Sequence, residues 1–310
     1  MEAQVLVSTQ DMNREEWLEQ RKKGIGGSDA AAIAGLSKWK SPVAVYLEKI
    51  GEAPDEDINS EAAYFGTQLE DFVAREFSKR TGLKVRRKNA MLQHPKHPFI
   101  LANVDRLIIG EKVGLECKTA SEYLKGEWEE DEVPAAYLIQ CQHYMVVTGY
   151  EAWWIAVLIG GNKFVYKKVE RDEELIEQLI EIEVSFWNDN VLMKEPPLFD
   201  GSDASTDLLS HMYPQGIDEE IELPDTVDSL LEEYEEARRS RVEANTKVKE
   251  IENRLKAMLG ENERGVTKNH MVTWKTIQSN RFDAKSFEKD HPDLFGKYTK
   301  TSSHRRFGFK

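Results

Sequence analysis

Cysteine is scarce in this chain: the 310 residues include two, Cys117 and Cys141. Two thiols cannot build a four-thiolate zinc or iron–sulfur site and give no disulfide framework, so both read as small buried apolar residues. Long apolar runs are missing too, with nothing near the roughly 20 residues that cross a bilayer. The opening Met1-Glu2-Ala3-Gln4 has no basic region followed by an apolar stretch. A soluble, cytoplasmic protein with no membrane partner is therefore expected. Positive charge is also short. Lys and Arg number 42 against 56 Asp and Glu, a net charge of -14, which opposes phosphate binding over a whole surface. The deficit is local: residues 1–110 carry 16 cations and 16 anions, residues 111–200 carry 8 and 19, and residues 201–310 carry 18 and 21. The basic knot Lys84, Arg86, Arg87 and Lys88 lies in the neutral first part, and Lys297 to Lys310 contain no acid, so a localised basic track stays open.

The length suits one main domain and a smaller C-terminal one. Asn13 and the acids Glu15 and Glu16 predict a helix over 13–24, followed by the turn Gly24-Ile25-Gly26-Gly27-Ser28-Asp29, where Ser28 or Asp29 would cap the next helix. Further helices are predicted from Pro42 to Ile50 and over 61–80, separated by an acidic link from Glu52 to Asp57. The period then changes to short β-type runs, and Leu101 to Thr119 reads as two strands joined at Gly110-Glu111-Lys112. A helix from Pro134 to Thr148, strands from Ala152 to Ile159 and Lys163 to Val169, and a helix from Glu173 to Asn190 complete a domain over 1–193. Prolines and small polar residues mark 194–228 as a linker. Over 229–310, the positions Leu230, Tyr234, Ala237, Arg241, Ala244, Val248, Ile251, Leu255 and Met258 alternate steps of four and three, a coiled-coil or helical-hairpin seam. Strand-like Met271 to Ile277 and His304 to Phe309 follow. The expected fold is α/β (α+β): a central mixed β-sheet flanked by helices, with a helical-hairpin and small-sheet appendage.

The sharpest chemical feature is Asp105, leaving one strand, with Glu116-Cys117-Lys118 on the next. Alternation puts Glu116 and Lys118 on one face and Cys117 on the other. Two carboxylates beside an ammonium suit a hard cation such as magnesium, which lowers the pKa of a bound water and polarises a phosphate. An acid and a Glu-x-Lys strand also occur as ion pairs in exposed hairpins, but Gly114 to Thr119 is mostly apolar around its charges. Glu70, on the 61–80 helix, is a candidate third carboxylate, with Asp71 and Glu76 as alternatives. Arg21 and Ser28 flank the glycine turn and together suit a phosphate.

These pieces, in their order, resemble the lambda exonuclease-like, YqaJ-type viral recombinase nucleases of the PD-(D/E)XK superfamily, which share a restriction-endonuclease-like core. The resemblance covers about residues 14–190: Trp17 to Arg21 with Gly26 to Asp29, Gly66 to Glu70, Asn103-Val104-Asp105, Leu115 to Lys118, and Tyr137 to Tyr144. Asn103-Val104 stands where the superfamily motif has a proline before its aspartate. The resemblance implies that Asp105, Glu116 and the Cys117 carbonyl bind a pair of magnesium ions, which manganese can replace. Glu70 would assist, Lys118 would activate the water, Gln140 would lie beside nucleophile or substrate, and Arg21 and Ser28 would grip a 5′-phosphate. It further implies a 5′→3′ exonuclease on linear duplex DNA that leaves 3′ single strands for an annealing protein, and a closed homo-oligomeric ring, a trimer before a tetramer. An endonuclease of the same fold and a catalytically inactive DNA-binding scaffold are the other readings.

Overall fold

The computed structural model describes residues 3–54, 61–129, 132–301 and 304–309. Part of the acidic link from Glu52 to Asp57, and Met1 and Glu2, lie outside the described residues. The chain divides into two compact units, residues 1–214 and 215–310.

The first unit runs β1 (Gln4–Ser8), α1 (Arg14–Lys22), α2 (Gly27–Ile33), α3 (Pro42–Ile50), α4 (Glu61–Thr81), β2 (Val85–Arg87), β3 (Ala90–Gln93), β4 (Leu101–Asn103), β5 (Arg106–Ile108), β6 (Val113–Ala120), α5 (Ala135–Thr148), β7 (Ala152–Ile159), β8 (Lys163–Glu170), α6 (Glu173–Ser185) and α7 (Asp203–Met212). A mixed five-stranded sheet in the order β2-β5-β6-β7-β8 forms the middle of this unit. Its β6 and β7 run parallel, and the remaining neighbours are antiparallel. Strands β1, β3 and β4 make a second, three-stranded sheet. The alternation of β6 and β7 splits the apolar side chains between two layers. Trp153, Ile155 and Val157 pack with Cys141, Tyr144 and Met145 of α5, while Leu115, Cys117 and Ala156 pack with Val73 and Phe77 of α4.

Several sequence expectations are corrected. Leu101 to Ile109 is not one strand: it breaks at Val104 and Asp105, so β4 and β5 belong to different sheets. The cap of α2 is Gly26 rather than Ser28 or Asp29, because the Asp29 carboxylate reaches back to accept from the Gly26 amide at 3.1 Å. Helix α6 ends at Ser185, and the chain continues as a wider π-type turn over Phe186–Leu192. The segment 194–228 is not wholly a linker, since it contains α7, and the first unit extends to Pro214. The small polar residues at 201–206 misled because they are the helix start: Ser202 accepts from the Ser205 amide at 3.1 Å, and Ser205 bonds Asp200.

The second unit comprises α8 (Thr226–Leu259), β9 (Arg264–Val266), β10 (Met271–Thr273), α9 (Ala284–Asp290) and α10 (Pro292–Tyr298). The seam lies on one continuous helix, not a hairpin, since no Gly or Pro interrupts 226–259 and Gly260 ends it. Strand β10 pairs with β9. The expected strand from His304 to Phe309 does not form. Phe307 and Phe309 instead turn their rings edge-on to Tyr234, with centroids 5.7 and 6.1 Å away.

Gly114 on β6 is a point of close approach: a Cβ there would stand 2.2 Å from the indole of Trp153, which is fully buried. Replacing Gly114 by Ala must therefore displace a side chain that has no free volume to enter. We expect Gly114→Ala to lower unfolding stability by about 1–3 kcal/mol, read as a fall in the urea midpoint. An unchanged midpoint would show that the sheet accommodates the methyl.

Candidate active site

The strand break at Asp105 gives the site its geometry. Freed from both sheets, the Asp105 side chain turns onto β6 and accepts from the Cys117 amide at 2.8 Å. Glu116 and Lys118, two residues apart on β6, emerge on the α5 face, and the Lys118 Nζ lies 2.7 Å from Glu116 Oε1. The same oxygen accepts from Gln140 Nε2 at 2.8 Å, and Gln140 also donates to the Tyr144 hydroxyl at 2.8 Å. Glu116 is 3 % exposed, and its second oxygen, Oε2, is buried without a hydrogen-bond partner.

The electrostatics mark these acids as mutually unfavourable. Burial raises the Asp105 carboxyl well above its usual value, and the charges of Glu116 and Glu70 push it further the same way. Burial alone would lower the Lys118 ammonium, but Glu116 and Asp105 outweigh it and raise its pKa. Like-charged carboxylates in a part-buried site are relieved by a cation. A hard divalent ion matches oxygen donors of this kind. The orphaned Glu116 Oε2 and the raised Asp105 thus fit magnesium held by Asp105 and Glu116. The Cys117 thiol is not part of this set: its side chain packs in the layer facing α4, and burial raises its pKa well above the ordinary thiol value.

Glu70 stands beside the site, paired with Arg106. Arg106, 4 % exposed, bonds Glu70 and Asp71 together, and its guanidinium also donates to the Asp105 carbonyl at 2.6 Å. Glu70 is near enough for its charge to act on Asp105, but one of its oxygens is already engaged by a cation. Asp71 is shared between Arg106 and Arg87, and Glu76 pairs with Arg80. Among the described residues, no group of three His, Cys, Asp or Glu side chains is placed to hold a metal by itself.

Arg21 and Ser28 come from a different part of the chain and reach the same place. A single cleft of about 210 Å³ is lined by Arg21, Ser28, Asp105, Lys118 and Gln140, with Trp17 and Tyr144 among its other walls. Arg21 donates to Ser28 Oγ at 3.3 Å, and its guanidinium lies over the Trp17 ring at 5.0 Å. What brings the two halves together is Gly27. A Cβ there would fall 2.7 Å from the Tyr144 ring and 3.1 Å from Gln140 Cγ, so α2 packs against α5 only because position 27 has no side chain.

Sequence reasoning missed the anchor beneath this pocket. Asp29, read as a cap, is wholly buried and faces three cations: Lys49 at 2.6 Å, Arg21 at 2.9 Å and Lys40 at 3.1 Å. Burial alone would raise the Asp29 carboxyl. The charges of Lys49, Lys40 and Arg21 reverse that and hold it well below the usual carboxylate range. The same burial pulls Lys49 below the ordinary lysine value, which Asp29 offsets only in part. The charge balance therefore rests on one acid meeting several cations, not on a single pair. No local spacing announces this, since Lys40 and Lys49 come from the segment that follows α2. Arg106, adjacent to Asp105, was a visible basic residue whose burial the sequence did not signal.

The fold of the first unit is similar to that of solved exonucleases. Two crystal structures of an alkaline exonuclease from Laribacter hongkongensis, the second in complex with dAMP, superpose on this chain with a TM-score of 0.50, at 18 % and 20 % identity. Each match covers 58 % of this chain and 94 % of the exonuclease. Residues 16–151 match the model of the YqaJ-like viral recombinase domain. YqaJ of Bacillus subtilis (strain 168) is 46 % identical over 311 aligned positions, 99 % of this chain and 98 % of that protein. The chain belongs to the YqaJ-like viral recombinase family.

Removing one member of the Asp29 cluster leaves buried charge without a counter-ion. We expect Asp29→Asn to cost about 3–5 kcal/mol. Because the folded-state pKa of Asp29 lies below its unfolded value, its contribution is complete above about pH 4 and drains away as pH falls through the folded value. Urea midpoints of the parent and Asp29→Asn, measured from pH 7 downward, should stay apart to about pH 4 and converge only in stronger acid. Curves that converge above pH 5 would contradict the assignment.

Proposed function

We propose that this chain is a magnesium-dependent deoxyribonuclease that digests linear duplex DNA from a 5′ end. The observation that carries the reading is the one cleft shared by Asp105, Lys118 and Gln140 on one side and Arg21 and Ser28 on the other. One half suits the scissile phosphate and its attacking water; the other suits a terminal phosphate. A binding pocket next to the reacting group is what an end-dependent enzyme needs, because phosphate binding there converts position along the strand into orientation at the bond.

A divalent ion bound by Asp105, Glu116 and the Cys117 carbonyl would supply Lewis-acid polarisation of the phosphate and a water of lowered pKa. The chain's own residues do the rest. Lys118, held as an ammonium, orients the nucleophilic water and offsets charge that develops on the phosphate oxygens. Gln140, pinned between Glu116 and Tyr144, fixes the rotamer of the Glu116 carboxylate. Glu70, clamped by Arg106, acts on the site through its charge and not as a free ligand. The Arg21 guanidinium, backed by Trp17 and Asp29, offers charge-assisted hydrogen bonds to a terminal phosphate, with Ser28 beside it. The viral-recombinase family supports extending the reading to 3′-tailed products passed to a single-strand annealing protein, and to a homo-oligomeric ring around duplex DNA. Manganese in place of magnesium is part of the same reading.

The test compares linear duplexes with and without a 5′-phosphate, with and without magnesium, alongside supercoiled plasmid. Nucleotide release is expected only from linear DNA with the metal present, faster from phosphorylated ends. Glu116→Gln and Lys118→Ala should each reduce the rate on the order of 10³-fold with circular dichroism unchanged. Arg21→Ala should lose about a hundredfold on phosphorylated ends and erase the preference for them. Digestion at the parent rate by both Glu116→Gln and Lys118→Ala would refute the hydrolytic assignment, and nicking of the closed circle would replace an exonuclease with an endonuclease.

A further inference from the structure

The long helix of the second unit carries an apolar seam that the described residues leave largely exposed, with Phe307 and Phe309 packed edge-on at Tyr234. Of the 34 residues of α8, Leu259 alone is buried. A helix in a protein takes most of its stability from packing one apolar face, and at 1.5 Å per residue this one is about 50 Å long. From Leu230 to Met258 the seam positions alternate steps of four and three, the spacing of a two-helix coiled coil. Leu230 is 62 % exposed, Val248 56 % and Met258 78 %.

The charges along α8 say what kind of helix would cover that face. Over 226–237 there are five carboxylates, Asp228, Glu232, Glu233, Glu235 and Glu236, and no cation. Over 238–259 there are seven cations and three carboxylates. The helix is therefore split into a block of net charge -5 and a block of net charge +4. Preference of acids for a helix start fades within the first turn, whereas Glu232 to Glu236 occupy the second and third. The basic block has internal partners, such as Lys247 with Glu250 and Lys256 with Glu252. No ion pair among the described residues reaches the five acids of the first block.

We propose that α8 is a homotypic interface that pairs antiparallel with α8 of a second copy of this chain. The arrangement lays each acidic block along the basic block of the other copy. Sliding the two helices until alternating seam positions meet sets Leu230 against the second copy's Leu255, Tyr234 against its Ile251, Ala237 against its Val248, and Arg241 against its Ala244. This register also accounts for the one cation in the seam. Opposite a small alanine, the Arg241 stem has room to run out to solvent, and Glu233 faces the second copy's Arg254 at both ends. A parallel pair would instead stack Arg241 on Arg241 and press the two acidic blocks together. The contact is two-fold, and it is independent of the nuclease chemistry.

The test uses the full chain with Leu230→Cys and Leu255→Cys, together and singly, treated with a short bis-maleimide at micromolar concentration; the native Cys117 and Cys141 are buried. The double variant is expected to give a covalent dimer on a denaturing gel. Neither single variant should, because position 230 would lie about 37 Å along the axis from its own copy. Sedimentation of the chain without added cysteines gives a second readout, in which Val248→Asp with Ile251→Asp halves the mass of the assembly while the first unit's thermal transition is unchanged. Cross-linking by Leu230→Cys alone would mean parallel pairing. A double variant that stays monomeric on the gel, with a sedimenting mass indifferent to the seam substitutions, would mean that something other than a second copy covers the helix. Either result overturns the proposal.

Discussion

The hydrogen bond from the Cys117 amide to Asp105 is the constraint on which the rest of the site depends. It spans the break between the two sheets and turns the Asp105 carboxylate onto the strand that carries Glu116 and Lys118. A hydrogen bond to a charged acceptor contributes about 1.5–3 kcal/mol, which is too little to hold two like charges together in a part-buried cleft. The balance must come from positive charge. Lys118 supplies one, paired to Glu116 Oε1, and the unpartnered Glu116 Oε2 together with the raised Asp105 marks where a second would sit. The polypeptide arranges a repulsion that a bound cation would relieve.

Much of this architecture was legible in the sequence, because it rests on short-range pattern. Alternation along Val113 to Ala120 placed Glu116 and Lys118 on one face, and the structure puts them within 2.7 Å of each other on the face toward α5. The long-range pairings were not legible. Nothing in Gly-Gly-Ser-Asp says that Asp29 is fully buried beneath Arg21, Lys40 and Lys49, because an exposed cap and a buried counter-ion have the same local spacing. Glu70 was placed on the correct helix, but its partner, Arg106, lies 36 residues away and decides what its carboxylate can do. The C-terminal seam was visible as a period of alternating steps. Whether it folds back on itself depends on a break that the sequence lacks, and one unbroken helix is the result.

The two halves of the cleft also use charge differently, and the difference follows from what each must do. Around Asp29, cations outnumber the acid and each pairs with it within the protein, and the Arg21 guanidinium also lies over the Trp17 ring. Around Asp105, acids outnumber the cation and one oxygen is left over, so the assembly is incomplete by itself. Gly27 is the hinge between these regimes: its missing side chain lets α2 approach Gln140 and Tyr144, which bond the incomplete half. A side chain at 27 would separate the halves without touching a charged group.

This division answers the objection raised by a net charge of -14. The arginines and lysines nearest the cleft are not spread out as a phosphate-binding surface. Arg21, Lys40 and Lys49 are committed to Asp29, and Arg87 and Arg106 to Asp71 and Glu70. Arg21, Lys40, Lys49 and Arg106 hold their charge within or at the edge of the interior, where neighbouring carboxylates fix its direction, while Arg87 is exposed. Under the proposed function, affinity would come from a few oriented contacts at one strand end and not from neutralising many phosphates along a duplex. An acidic protein can therefore act on a polyanion without a broadly basic surface, provided the end of the strand, rather than its length, is what it grips.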